Sequence, residues 1–402
     1  MPEKWTRREL LWRGAAGVAG AYLLGPSLMR ASAPAARVSI ARCHTYAAAE
    51  LIPAMARMFD QLGGLDRIVK GKTVAMKINL TGKPNIRVGY YRLEDTHYTH
   101  PAVIAATAHL MGKAGARRIR IVESPLGSAD PLEEIMLQAN WDPKLILGAA
   151  SKVEFENTNY LGQGKEYVRF KVPNGGYMFP AYDLNHSYQD CDVFVSVAKL
   201  KEHETAGVTL SMKNCFGITP CTIYGDGAGE DEPSLLPRAG RGLVHFGYRQ
   251  PSKSAPSEID PKSPRDDKYR VPRVVADLAA ARPIDLAIVE GINTMTGGEG
   301  PWISTALTAV KPAVLIAGTN PVSTDAACMA VMGFDPMADR GTPPFENCDS
   351  TLHLAENTGV GTRDLKRIEL AGIPIRQAKV VDFAAIRERR THASATPGGP
   401  LG

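Results

Sequence analysis

The sequence predicts an α/β protein: a largely parallel or mixed sheet flanked by helices, with an antiparallel β insertion and a long irregular loop. Three observations carry this. Short β-rich runs alternate with helical patterns, glycines close successive helices, and several strand-like runs are apolar on both faces, as in a sheet covered on both sides. The 402 residues, 44% hydrophobic and 22% charged, suit one large domain or two of ordinary size.

The chain opens with "WTRRELLWRGAAGVAGAYLLG". Thr6, Arg7 and Arg8 precede a weakly apolar stretch, and small residues at "RASAPAA" are spaced for cleavage, which resembles a twin-arginine export signal. Pro34 would obstruct cutting after Ala33, so the cut is placed near Ala35 and residues 1–35 are assigned to the signal. The apolar stretch is about a dozen residues, short of the roughly twenty that a membrane span needs. No cysteine precedes Cys43, which argues against lipid anchoring. These features predict an exported, periplasmic protein, partnered by the twin-arginine translocation machinery and without a stable membrane span. That pathway carries folded proteins, often with a cofactor already in place.

An α/β domain is expected over 36–390, with two lobes allowed. "RVSIARC", a helix around "AAELIPAMARMFDQLGG", "KTVAMKINL", a helix opened by Pro101, and "RRIRIVES" read as βαβ units. The run from "KVEFENTNY" to "VRFKVPNGGYMFPAY" predicts an antiparallel insertion over about 151–185, turned at "PNGG". The α/β pattern resumes with "DVFVSVAKL", "DLAIVEGI" and "AVLIAGTN", then a helix at "STDAACMAVMGF". Between the first two of these, residues 225–268 are rich in Gly, Pro, Ser and charge, as in a functional loop, a lid or a disordered stretch. A disordered tail is expected over 391–402.

The net charge of +5 is dispersed apart from the signal and "RERR" at Arg387–Arg390, which argues against nucleic acid as partner. Six cysteines allow one or two disulfides, with connectivity left open. "CFGITPC" has no partner pair, so an iron–sulfur cluster held by these cysteines alone is not expected.

Ligands of such sheets bind beyond the carboxyl ends of the strands. Alternation along the run that holds Val193, Val195 and Val197 puts Lys199, Lys201 and His203 on one face. Three such groups repel one another unless an anion sits among them. Lys77 and Asn79 likewise share a face, and other strands end at Glu123, Glu290 and Asn320, with Asp325 in the following turn. Any one of these, taken singly, reads equally well as a solvated end or a cap. Glu123, Glu290 and Asp325 are the candidates for a metal or acid–base site. "TAGVTLSMKNCFG" has helical spacing: Thr205 caps it, Thr209 and Lys213 share a face, Asn214 adjoins them and Gly217 stops it. Gly207 would let a ligand approach the backbone, and the helix N–H groups would add to an anion site. "TGGEGP" and "HYTHP" are weaker candidates, the first because it is acidic and lacks a P-loop lysine.

"KINL", "THPAVIAA", "VAKLKEHETAGVTLSMKNCFGITP" and "AGTNPVSTDAACMAVMGFDP" together resemble a bacterial and archaeal family catalogued as domain of unknown function 362, over roughly Thr73 to Pro336. Some members carry a ferredoxin-type module, whose cysteine runs this chain lacks. His203, Gly207, Thr209 and Lys213 also resemble a segment of the nickel-pincer lactate racemase family. That likeness implies a histidine that moves the substrate proton and a lysine that holds the cofactor covalently. "TLSMK" departs from that family's glycine-glycine-arginine before the lysine, and the next histidine is His245 in the irregular loop.

The sequence thus predicts a cleft that binds an anionic small molecule or cofactor, metal or organic, through Lys77, Asn79, Lys199, Lys201, Gly207, Thr209, Asn214 and Asn320. It makes the protein an enzyme with His203 and Lys213 as catalytic residues. The alternative is a noncatalytic periplasmic binding or redox-partner protein.

Overall fold

Eight strands form the central sheet of the computed structural model, which describes residues 36–125, 127–303 and 307–395, with side chains to residue 390. They are β1 (Ala36–Arg42), β2 (Thr73–Lys77), β3 (Arg118–Glu123), β4 (Val153–Asn157), β5 (Val193–Lys199), β6 (Leu286–Gly291), β7 (Val314–Gly318) and β8 (Ile368–Gly372). Their spatial order is β8-β1-β7-β6-β5-β2-β3-β4. All neighbours pair in parallel except β7, which runs antiparallel to both β1 and β6. The sheet is therefore mixed and mostly parallel, as the apolar runs predict.

β2, β5, β6 and β7 are buried at every position, because helices cover both faces. On one face, α1 (Ala48–Gln61) and α2 (Pro101–Lys113) bring Leu51, Met55 and Val103 against Val193, Val195 and Val197. α2 starts at Pro101, with His100 Nδ1 accepting from Ala102 N at 3.1 Å. On the other face, α3 (Leu210–Asn214), α4 (Asp267–Ala281), α5 (Pro321–Met332) and α6 (Thr351–Asn357) enclose Phe194 and Ala198.

From β2 the chain moves outward through β3 to β4, and from β5 it moves the opposite way through β6 to β7. β2 and β5 are adjacent, so the strand order reverses between them and a crevice opens beyond their carboxyl ends. The reversed β7 corrects one expectation. Its carboxyl end lies at the far edge of the sheet, and Asn320 is there as the cap of α5, accepting from Ser323 N at 3.0 Å.

The insertion is smaller than the expected 151–185. β4 belongs to the main sheet, and the antiparallel part is a hairpin of Val168–Lys171 and Ala181–Leu184. Its turn does use "PNGG": Asn174, Gly175 and Gly176 all have positive φ. Residues 225–268 include a short helix, Gly242–Phe246. Glu258 is buried there and pairs with Arg265 and with Arg270 of α4, which fastens the stretch to the helical layer. All six cysteines are free thiols, so the disulfides that the sequence allowed do not form. A last helix, α7 (Phe383–Ala395), runs past the expected start of the tail at 391. The described residues from Ala36 onward cluster as one compact unit. The export segment, 1–35, and the end of the tail lie outside the described residues. Among those described, no helix is long and apolar enough to cross a membrane.

Asp325 of α5 holds α3 in place. Its carboxylate accepts from Ser211 N at 2.9 Å, Ser211 Oγ at 2.7 Å and Met212 N at 3.0 Å, and it is 1% exposed. Asp325→Ala would strand three buried donors and should cost about 3 kcal/mol. Denaturant unfolding checks this; a loss under about 1 kcal/mol would show that the tie contributes little.

Candidate active site

A cavity of about 390 Å³ fills the crevice between β2 and β5. β2 and the residues after it supply Lys77 and Asn79, and β3 supplies Glu123. The chain leaving β5 supplies Lys201 and His203, and the segment at α3 supplies Thr209, Lys213 and Asn214. These eight of the sequence-predicted residues meet in one place. Thr209 and Lys213 share a wall because one helical turn separates them, with Lys213 N donating to Thr209 O at 3.1 Å.

Five predicted residues lie elsewhere. Lys199 ends β5 on the face of α1 and α2, where its Nζ donates to Glu290 Oε1 at 2.5 Å and Glu94 O at 2.6 Å; both partners of this ion pair are fully buried. Strand alternation ends with β5 at Lys199, so it does not carry that residue into one set with Lys201 and His203. Glu290 is thereby used structurally, and it also accepts from His100 N at 3.0 Å. Asp325 is occupied beneath α3, and Asn320 is at the far edge of the sheet. Gly207 faces Phe345: a Cβ there would come within 2.5 Å of that ring. The three metal candidates Glu123, Glu290 and Asp325 are therefore not gathered. Among the described residues, no cluster of three or more His, Cys, Asp or Glu could hold a metal ion.

The predicted helix from Thr205 is also corrected. Glu202–His203 and Gly207–Val208 pair as a small hairpin, and helix begins only at Leu210. Gly207 at φ 70° and Leu210 at φ 47° turn the chain before that point. The helix's Ser211 and Met212 N–H groups point to Asp325, so they do not serve the cavity.

The electrostatics follow from who pairs with whom. Lys77 is satisfied by Glu123 Oε1 at 2.6 Å, Ile78 O at 2.7 Å and Asn214 Oδ1 at 3.3 Å. Lys201 donates to Glu299 O at 2.9 Å and Thr209 Oγ1 at 3.1 Å. Lys213 Nζ, among the described residues, has no hydrogen-bond or ion-pair partner and rests 4.4 Å from the Phe216 ring centroid. Burial pushes the Lys213 ammonium down to about 8; Glu299 opposes this, while Arg241 and Lys77 add to it. Burial likewise pushes Lys201 down to about 7, against Glu299 and with Lys213.

Glu299 and Arg241 were not selected from sequence, yet they organise the cavity. Glu299 Oε2 lies 2.7 Å from His203 Nδ1, and its Oε1 accepts from Trp302 Nε1 at 3.1 Å. Burial would raise this carboxyl, but His203, Lys213 and Lys201 outweigh burial and hold it well below the usual range. Thr205 N and Oγ1 also approach His203 Nδ1, at 3.2 and 3.3 Å, but the shorter 2.7 Å contact to a carboxylate is the stronger one and puts the proton on Nδ1, leaving Nε2 with its lone pair. Burial pushes the imidazole down to about 3, with Glu299 opposing and Lys213 adding, so the ring is neutral near pH 7. Arg241 donates to Thr219 O at 2.8 Å, Ser124 O at 2.9 Å, Gly217 O at 3.2 Å and Asn159 Oδ1 at 3.3 Å. Its partners are neutral oxygens and its Nη1 makes no hydrogen bond among the described residues, so a buried guanidinium stands beside Lys213 without a carboxylate. His245 Nδ1 lies 2.8 Å from Arg241 O, and burial pushes that ring down to about 4.

Glu202 aligns the arms that carry His203 and Glu299. It accepts from Thr296 Oγ1 at 2.6 Å, from Gly297 N at 2.7 Å and from Arg387 Nη1 of α7 at 2.7 Å. The basic "RERR" patch thus folds back onto the site's support, with Arg390 Nη2 donating to Thr296 Oγ1 at 2.6 Å.

A family model described as domain of unknown function (DUF362) matches residues 74–330, more than half of the chain, and the protein belongs to that family. A thylakoid-associated protein of Synechocystis sp. is 28% identical over 184 residues, 46% of this chain and 50% of that protein. The chain thus spans about half the length of the curated relative it matches. The lactate racemase apoprotein of Thermoanaerobacterium thermosaccharolyticum aligns with 12% identity over 74% of this chain and 57% of that one, at a TM-score of 0.35.

The lysines at this edge divide into buried and paired ones and the half-buried, unpaired Lys213. Lys199→Met would leave Glu290 uncompensated and should cost about 3–5 kcal/mol. Lys213→Met removes a charge that the fold does not neutralise and should stabilise the ligand-free protein by about 1–3 kcal/mol at pH 7. The folded value of Lys213, about 8, lies below its ordinary 10.5. Its protonation therefore costs stability fully below pH 8, and the cost fades as pH rises towards 10.5. The gain in Lys213→Met should fade over the same interval, as unfolding curves at several pH values will show.

Proposed function

We propose that this member of the DUF362 family is an enzyme that binds an anionic organic molecule between Lys213 and Arg241 and moves a proton with His203. The observation that supports this most directly is a buried guanidinium, Arg241, and a half-buried ammonium, Lys213, both without anionic partners and facing one cavity with a Glu299-held imidazole. Such charges are costly to bury, and a bound carboxylate or phosphate would offset that cost. Arg241 suits recognition of an oxyanion through Nη1, because four oxygens on Nε and Nη2 fix its plane.

In this reading His203 Nε2 accepts a proton from the bound molecule, while Glu299 stabilises the imidazolium that forms. Lys201 and Lys213, poised near neutrality, stabilise negative charge that develops on the ligand. Phe216 and Trp302 give the cavity apolar walls. Among the described residues, the cavity's imidazoles, His203 and His245, are joined by no third protein donor in a metal-binding cluster. The site does not fit a metal held by protein ligands alone, and no step is assigned to one. Export is part of the proposal: Arg7, Arg8 and the short apolar stretch support passage through the twin-arginine pathway. Full-length protein with Arg7→Lys and Arg8→Lys should stay in the cytoplasmic fraction.

Thermal unfolding with phosphate, succinate or 2-oxo acids tests the binding. At least one should raise the wild-type Tm, and the shift should vanish in Lys213→Met and Arg241→Ala; no shift with any of them sinks the proposal. Binding should weaken as pH rises through 8, up to tenfold per unit for each lysine discharged. Deuterium wash-in from D2O into carbon of the bound acid, followed by NMR, tests catalysis. His203→Asn should keep the Tm shift and lose the exchange. A wild-type protein that binds without exchange with any probe is the noncatalytic binding protein instead.

A further inference from the structure

We propose that Lys213 is a nucleophile that condenses with the carbonyl of a small 2-oxo acid, whose carboxylate is taken by Arg241 Nη1. This rests on the anion-binding reading above and names its substrate class. Three features of the cavity point to it.

First, two cavity-lining lysines have a side-chain nitrogen without a hydrogen bond among the described residues, and of these Lys83 is exposed whereas Lys213 is partly withdrawn from solvent. Lys77 and Lys201 have theirs occupied, by Glu123 and by Thr209 and Glu299 O. A lysine kept for charge alone gains from such bonds, whereas an attacking amine needs its lone pair free. Its seat against the Phe216 ring, beside a second cation, lowers the cost of losing the proton, consistent with the downward shift to about 8.

Second, Arg241 is locked by four oxygens with Nη1 left over, so it can fix a carboxylate at one place relative to Lys213. A carboxylate beside the reacting carbonyl places the electrophilic carbon within the same small cavity of about 390 Å³.

Third, His203 stands in the same cavity to pass the protons that the condensation moves. The Lys213 ammonium, lowered to about 8, gives one proton to solvent. The freed amine attacks the carbonyl carbon, the C–N bond forms, and the carbonyl electron pair moves to oxygen, which takes a second proton from nitrogen. A proton from solvent, passed on by His203 Nε2, reaches that hydroxyl, which leaves as water, and an iminium remains. The sum is an ammonium plus a ketone giving an iminium plus water, with no oxidant or reductant. The iminium then draws electrons from an adjacent C–H bond, whose proton His203 Nε2 can accept as the enamine forms. The proposed proton transfer thereby gains an electron sink made of this chain's own residue.

The test traps the imine. Full-length protein is incubated with pyruvate, glyoxylate or 2-oxoglutarate, reduced with sodium borohydride, and analysed by intact mass and peptide mapping. One reduced adduct on Lys213 is expected with at least one acid. It should be absent in Lys213→Arg and Lys213→Met, and at least tenfold weaker at limiting acid in Arg241→Ala. Adducts on Lys201, or scattered over exposed lysines, would overturn the assignment. If an acid raises the Tm yet no Lys213 adduct forms, the covalent step fails and the anion site stands. If there is neither shift nor adduct, both fail. Circular dichroism of each variant confirms folding, and Lys213→Met is expected to be more stable than wild type.

Discussion

A lysine ammonium withdrawn from water needs an anion or several oxygens, and this fold meets that demand for the three buried lysines at the sheet's carboxyl edge, leaving only the half-buried Lys213 beside them without a partner among the described residues. Lys77 has Glu123, Lys199 has Glu290, and Lys201 has a hydroxyl and a carbonyl. Pairing of this sort is the condition for keeping charge in an interior. Much of the surrounding structure follows from it. Glu123 also accepts from Leu80 N at 2.8 Å and Ser124 N at 2.8 Å, so the Lys77 pair fixes the loops leaving both β2 and β3. Glu290 accepts from His100 N and so orients the start of α2.

The architecture was legible because strand alternation and helix punctuation are local. The apolar runs read as two-faced strands, and Pro101 and the α5 segment read as helix starts; all of these hold. What alternation could not show was direction. "AVLIAGTN" is as apolar as its neighbours whether it runs parallel or antiparallel, since both faces are covered either way. Its reversal alone moved Asn320 from the cavity to the opposite edge. Alternation also has no meaning past the last paired residue. Counting on from Lys199 found Lys201 and His203 for the cavity, yet it grouped them with a lysine that serves a structural ion pair.

The residues that sequence reasoning missed share a property: their placement is decided by contacts with distant parts of the chain. Arg241 is held by oxygens of Ser124, Asn159, Gly217 and Thr219, none of which a local pattern relates to it. Its one local signal is its position between Gly240 and Gly242 in a stretch without periodicity. Glu299 counted against "TGGEGP" as a phosphate site, because an acid repels an anion. In the structure that acid faces His203, Lys201 and Lys213, where it tempers their charge and selects the tautomer of the histidine. The sign of one residue could be judged only with its neighbours in place.

Placing two support networks on opposite sides of the cavity separates positioning from chemistry. Asp325 and α5 hold the helix that carries Lys213, whereas Glu202 and α7 hold the arms that carry His203 and Glu299. Neither carboxylate lines the cavity, and both are at most 1% exposed, so their hydrogen bonds are shielded from solvent and fix geometry. The consequence is a site whose cations are set in rigid frames but left electrically unsatisfied. Stability is given up at Lys213 and Arg241, where a ligand can restore it, and is secured at Asp325 and Glu202, where a ligand cannot reach. Under the proposed anion-binding function that division has a use, whereas in a vestigial cleft nothing would oppose the unpaired charges acquiring partners or being replaced by apolar side chains.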